Sequence, residues 1–164
     1  MATPLEEWNA EYTYHWGIPG ERIRNKIKNA VPQLRALSLG RHPTLLVLFD
    51  AVKWWPELMN ADALKVAMYG IETAAVSSEV APEGGATIIG RWHGSRRRLT
   101  DEHNTTLSAI GILSGDDAEL RLGIYHNFFA AAPIPSDWLV DPKIQQYRLA
   151  WSPDRAFPPW ETIA

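Results

Sequence analysis

"GERIRNKIKNAVPQLRALSLGRHPTLLVLFD", residues 20 to 50, contains the two elements from which the rest of the fold is read. Ile23, Ile27, Ala30, Leu34 and Leu37 recur at three- and four-residue spacing, the apolar stripe of an amphipathic α-helix. The turn residues Gly17–Gly20 precede it and Glu21 opens it. Pro32 falls inside the pattern, where it must kink the helix or begin a second one at its own first position, because it lacks an N–H and crowds the preceding turn. Arg41-His42-Pro43 stops the element. Thr44–Phe49 is then β-branched and leucine-rich, apolar on both faces, as expected of a central strand.

Working outward, Trp54–Pro56 turns the chain, and Asn60 or Asp62 can cap a helix that runs to about Tyr69 and closes on Gly70. Ile71–Val76 reads as a second strand. It completes a strand–helix–strand unit, for which parallel pairing is the default. Pro82–Ala86 is a loop before a strand at Thr87–Trp92, and His93–Asn104 is a polar loop. Leu107–Leu113, the turn Ser114–Asp117 and the alternating Glu119–His126 form a hairpin. Six of the twelve prolines lie between Pro133 and Pro159, so the tail reads as extended or looped, with a short helix near Lys143–Leu149. The first 19 residues form an aromatic segment with a strand around Tyr12–Trp16. The expectation is one α/β or α+β domain over residues 1–164. It has a mixed sheet, a strand–helix–strand unit, a C-terminal hairpin and at least two packed helices. Residues 133–164 form a Pro/Trp-rich tail packed on the core.

The 164 residues are 46% hydrophobic and 21% charged, the balance of a globular domain large enough to bury a core without staples. With no cysteine there is no disulfide framework and no thiolate chemistry, which fits a reducing, cytoplasmic setting. The longest apolar runs, Leu45–Phe49 and Phe128–Pro135, are too short to span a bilayer, and the acidic "MATPLEEWNAEY" does not read as a signal peptide. Net charge is −3, but it is unevenly spread. Arg22, Arg24, Lys26, Lys28, Arg35 and Arg41 face Glu21 alone, a local +5, and Arg91, Arg96, Arg97 and Arg98 add a local +4. The two islands are either separate solvated patches or, if the fold joins them, one positive surface for phosphates. Eight tryptophans, mostly in loop-like or terminal segments, either pin those segments to the core or offer stacking platforms.

No phosphate loop, dinucleotide fingerprint, nucleophile elbow or zincin motif is present. His15, His42, His93, His103 and His126 never stand four apart, so a zinc site would need the fold to gather three of them. Asp50 follows the apolar strand, where α/β folds commonly place ligands, and Glu7, Glu11 and Glu72 are candidates to join it around magnesium. A metal-dependent nuclease needs such carboxylates to hold the ion that activates the attacking water. The ordinary role of such a residue is to cap a strand end. Of the tripeptides with an acid two before a lysine, Asp141-Pro142-Lys143 lies in the proline-bearing tail. Ser108, His126 and Asp50 could meet as a nucleophilic triad, though nothing in their spacing favours it. In "IYHNFFAAAPIP" (Ile124–Pro135), His126 and Asn127 are suited to tying down the following loop, or His126 to binding a ligand.

"RIRNKIKNAVPQLRAL" followed by "HPTLLVLFD", with its Ala30-Val31-Pro32-Gln33-Leu34 stretch, resembles the helix and strand that follow the catalytic strand of restriction-endonuclease-like proteins. "LSAIGILSGDDAELRLGIYHNFFAAAPIP" is similar to the hairpin of uncharacterised bacterial proteins of that group, so the resemblance covers roughly Gly20 to Pro135. By carry-over it implies Gln33 near an active site and puts Glu11 in the place of the upstream acid; with Asp50 at the strand end these are the catalytic candidates, with Mg²⁺ only if the chain cleaves. The chain departs from the pattern upstream of the helix, where "EEWNAEYTYHWG" carries no lysine. The expectation is therefore a binding or interaction module without a complete catalytic set. Arg24, Lys28, Arg35, Arg96, Arg97 and Arg98 would contact nucleic acid. The alternatives are an active metal-dependent nuclease, or a protein-interaction module such as an oligomer or one half of a toxin–inhibitor pair.

Overall fold

The computed structural model describes residues 20–49, 61–70, 72–80, 86–93, 97–115, 119–150 and 158–163, with 72–80 and 86–93 described as backbone. The elements run α1 (Glu21–Ser38), β1 (Leu45–Phe49), α2 (Ala61–Tyr69), β2 (Glu72–Val80), β3 (Ala86–His93), β4 (Ala109–Gly115), β5 (Leu120–His126), β6 (Ile144–Leu149) and β7 (Trp160–Thr162). A five-stranded mixed sheet has the order β1-β4-β5-β6-β7, and β2 with β3 forms a separate two-stranded ribbon. β1 lies parallel to β4, β4 antiparallel to β5, β5 parallel to β6, and β6 antiparallel to β7.

The expected mixed α/β architecture is present, with one change of partner. The strand after α2 does not return beside β1; it pairs antiparallel with β3, and β1 takes β4 instead. Composition explains the choice. "ETAAVSSEV" is too polar for a parallel strand buried on both faces, whereas "AIGIL" in β4 is apolar throughout and buried from Ala109 to Ile112. A partner a short loop away also costs β2 little closure entropy. The tail differs as well. Ile144–Leu149 is a strand rather than a helix, because β5 offers an open edge that its Ile, Tyr and Leu can extend.

α1 runs unbroken through Pro32, whose ring is exposed. The buried stripe is Ile23, Ile27 and Val31, with Leu34 partly buried against the same core, while Leu37 is 82% exposed. α2 ends on Gly70, whose φ of 91° makes it the expected glycine cap. α1 and α2 cover one sheet face, packing Ile23, Ile27, Leu64 and Met68 with Leu48, Ile110 and Ile112. Each fully buried Ile or Leu contributes roughly 1.5–3 kcal/mol relative to exposure. On the opposite face, Ala109 and Ile124 meet Ile134, with Leu45, Leu122, Leu139 and Ile144 around them. Residues 127–143 thus form a strap across that face. No helix among the described residues is long and apolar enough to cross a membrane.

Candidate nucleic-acid interface

α1 carries the first basic island, and its wheel has two charged stripes. Arg22, Lys26, Asn29 and Gln33 stand at four-, three- and four-residue steps and are all exposed. Lys28 and Arg35 lie on a second exposed stripe, and Arg41 is exposed just beyond the helix. Arg24, expected beside Lys28 and Arg35, is instead 3% exposed. It stands three residues before Ile27 and seven before Val31, so helical geometry turns it toward the apolar stripe. That spacing was visible in the sequence. Arg24 Nη1 donates to Glu21 Oε2 at 2.9 Å, while its Nε and Nη2 find no acceptor among the described residues.

The start of α1 is set against α2. Gly20 has φ 75°, and a Cβ there would lie 2.4 Å from the Ala63 carbonyl oxygen and 3.1 Å from the Ala67 side chain. Only glycine combines that left-handed conformation with so close an approach. The second basic island reaches the same helix from its other end, since the amides of Arg98 and Leu99 both donate to the Met68 carbonyl at 3.0 and 2.8 Å. Asn104 fastens this segment further by donating from Nδ2 to the Arg98 carbonyl. The start of α1 and the backbone of Arg98 and Leu99 thus both lie against α2, at Ala63–Ala67 and at Met68. Arg97 is exposed and Arg98 half-buried, its Nε also without a partner among the described residues. Glu11, Asp50 and Arg96 lie outside the described residues. Gln33, the position carried over from the resemblance, is exposed on the Arg22–Lys26 stripe.

The other constellations are engaged structurally. Ser108 is fully buried, donating to the Ala132 carbonyl at 2.5 Å and accepting from the Thr44 amide at 2.8 Å. His126 Nε2 lies 2.8 Å from Gln146 Oε1. Both Gln146 amide hydrogens are committed to the Ser136 and Leu139 carbonyls at 2.7 and 3.2 Å, so Oε1 can only accept and His126 carries its hydrogen on Nε2. Asn127 donates to the Leu107 carbonyl at 2.7 Å and accepts from the Phe129 amide at 3.0 Å. These two residues tie the strap to the sheet.

Tyr69 spans the same seam, donating to the His126 carbonyl and accepting from the Phe128 amide. Burial raises its hydroxyl above the usual tyrosine range, with the Phe128 amide lowering it in part. Trp160 anchors the tail by donating from Nε1 to the Ala61 carbonyl and by packing on Tyr69 and Tyr125. No three histidine, aspartate or glutamate side chains gather in a metal-binding group among the described residues. The central part played by Gln146 has no signature in the sequence, since a lone glutamine in a proline-rich tail carries no pattern. No family model, curated protein or solved structure matches the chain.

Proposed function

We propose that this chain is a restriction-endonuclease-like domain that acts as a binding module, contacting nucleic-acid phosphates through α1 and the segment around Arg97. The observation that supports the reading is that the start of α1, which opens the first basic island, and the backbone of Arg98 in the second both pack on α2. A local excess of cations on a rigid helix favours phosphate contact, and such contact releases counterions, so affinity depends steeply on salt. The test is fluorescence anisotropy with labelled duplex and single-stranded DNA and RNA between 50 and 200 mM KCl. Four phosphate contacts predict roughly a hundredfold loss of affinity over that range. Absent or salt-insensitive binding overturns the reading. Incubation with plasmid and Mg²⁺ or Mn²⁺ separates it from an active nuclease, in which Asp50→Ala would abolish cleavage.

A second reading, a protein-interaction module, is favoured by the apolar side chains the strap holds out to solvent. Trp138 is 64% and Val140 75% exposed, with Phe128 also exposed. Exposed aromatics of this kind serve as interface anchors. Sizing the protein in solution tests it for self-association: a shift to a dimer that Trp138→Ser reverses would support it, and a monomer at all concentrations would remove the homo-oligomer.

A further inference from the structure

We infer that the first turn of α1, together with Arg24, is a binding site for a single phosphate group. The guanidinium of Arg24 is buried, and its ion pair with Glu21 draws it back along the helix to the first turn. Glu21 occupies Nη1. The two nitrogens left over, Nε and Nη2, form one edge of the planar group, the edge whose parallel N–H bonds match two oxygens of a phosphate or carboxylate. A charged edge closed off from water and without an acceptor among the described residues is unusual enough to need an explanation, because buried donors are almost always satisfied.

The helix start supplies further donors. The first intrahelical bond is from the Arg24 amide to the Gly20 carbonyl, so the helix itself offers no acceptor to the amides of Arg22 and Ile23. Gly20 provides no side-chain cap. The positive end of an 18-residue helix and a guanidinium fork together suit a ligand with more than two oxygens, which selects phosphate over a carboxylate. Exposed Arg22, Lys26 and Lys28 raise the local positive potential that draws in such an anion. The Glu21 carboxylate opposes it, and its negative charge sets a preference for a group held by the free edge of Arg24 rather than by Nη1. The site could serve free inorganic phosphate or the terminal phosphate of a nucleic-acid strand. Only the second source rests on the function proposed above.

The experiment is isothermal titration of the full chain with inorganic phosphate at constant ionic strength, followed by anisotropy with 5′-phosphorylated and 5′-hydroxyl oligonucleotides. Phosphate is expected to bind, and Arg24→Lys, which keeps the charge and loses the fork, to weaken it at least tenfold. Lys143→Gln, exposed just before β6 and away from α1, should change it by less than twofold. A 5′-phosphate that tightens oligonucleotide binding in the wild type but not in Arg24→Lys identifies a strand end as the source; equal binding of both oligonucleotides identifies free phosphate. Wild-type protein that binds neither inorganic phosphate nor the phosphorylated end more tightly than its control overturns the site, as does undiminished binding by Arg24→Lys. If that variant does not fold, the Arg24 Nε–H resonance of the wild type decides: a phosphate-dependent shift supports the site and an unmoved resonance overturns it. Loss of salt-dependent duplex binding with intact phosphate binding would remove the proposed function and leave this site standing.

Discussion

Arg24 and Gln146 are both long polar side chains buried in the same molecule, yet their surroundings are opposite. Gln146 meets His126 and two strap carbonyls, and its hydrogen-bonding capacity is used from within the fold. Arg24 meets Glu21 and keeps one whole edge without an acceptor among the described residues. A completed polar seam specifies where the strap sits. An incomplete one adds nothing to that specification, and points outward to a ligand. The difference separates the half of the domain that is scaffold from the half where function is sought.

The comparison breaks first at Gln146. Gln146→Leu keeps the volume but strips partners from His126 Nε2 and the Ser136 and Leu139 carbonyls, and should cost about 3–5 kcal/mol by urea denaturation, since each buried group left unpaired costs about 1–3 kcal/mol. A loss below 1 kcal/mol would show that the seam does not set the strap. Tyr69→Phe should cost less, about 1–2 kcal/mol, for its two hydrogen bonds. It should also change the alkaline limb of the stability curve. Because burial raises the folded-state pKa of Tyr69, its contribution is full below about pH 10, where the unfolded residue titrates, and is lost as pH rises above that. The variant should flatten that limb in part, leaving the share due to Tyr125, which burial and then Tyr147 also raise.

Arg24→Met sharpens the contrast by reversing its sign. In phosphate-free buffer it should leave the denaturation midpoint unchanged or raise stability by up to about 1 kcal/mol, because replacing an incompletely paired buried charge by an apolar group is often neutral or favourable. A loss of 3 kcal/mol or more would mean that Arg24 is as fully used as Gln146. The smallest stability effect belongs to Lys28→Ala with Arg35→Ala, both exposed and expected within about 0.5 kcal/mol of the wild type. Their effect should fall on binding, where the slope of log affinity against log salt should shrink by about 2 if each side chain meets one phosphate.

The periodic elements were legible because their periods are strong. α1, α2 and the β4–β5 hairpin follow from apolar spacing and the Gly70 cap, and the structure places them where the pattern does; β1 is a strand as expected, but it lies at the edge of the sheet rather than its centre, with Val47 and Phe49 exposed. Pairing was less legible. Nothing local distinguishes β2 from a parallel neighbour of β1 until the longer apolar run of β4 competes for that edge. The strand at Ile144–Leu149 depends on the open side of β5, a tertiary circumstance that the six residues do not encode. At the candidate interface the total charge was readable, but its division between exposed and buried faces required the phase of the helix. Taking that phase from Ile27 and Val31 would have turned Arg24 inward. Gln33 could be placed on the surface by the same phase. Glu11 and Asp50, which lie outside the described residues, owe their candidacy to the sequence alone.

The pairing of β1 with β4 also bears on how the chain reaches its fold. The Thr44 amide is held by Ser108, 64 residues further on, whereas only four residues separate β4 from β5 in the chain. Local hairpins close quickly and distant parallel pairs slowly, so β4–β5 should form early and β1 dock late. On a ribosome adding about 5–20 residues each second, Leu45–Phe49 would emerge roughly 3–13 s before its partner. During that interval the strand's leucines have only the helices to cover them. The α1 stripe of Ile23, Ile27 and Val31, which later roofs the finished sheet, is then the first shelter available to β1 during synthesis.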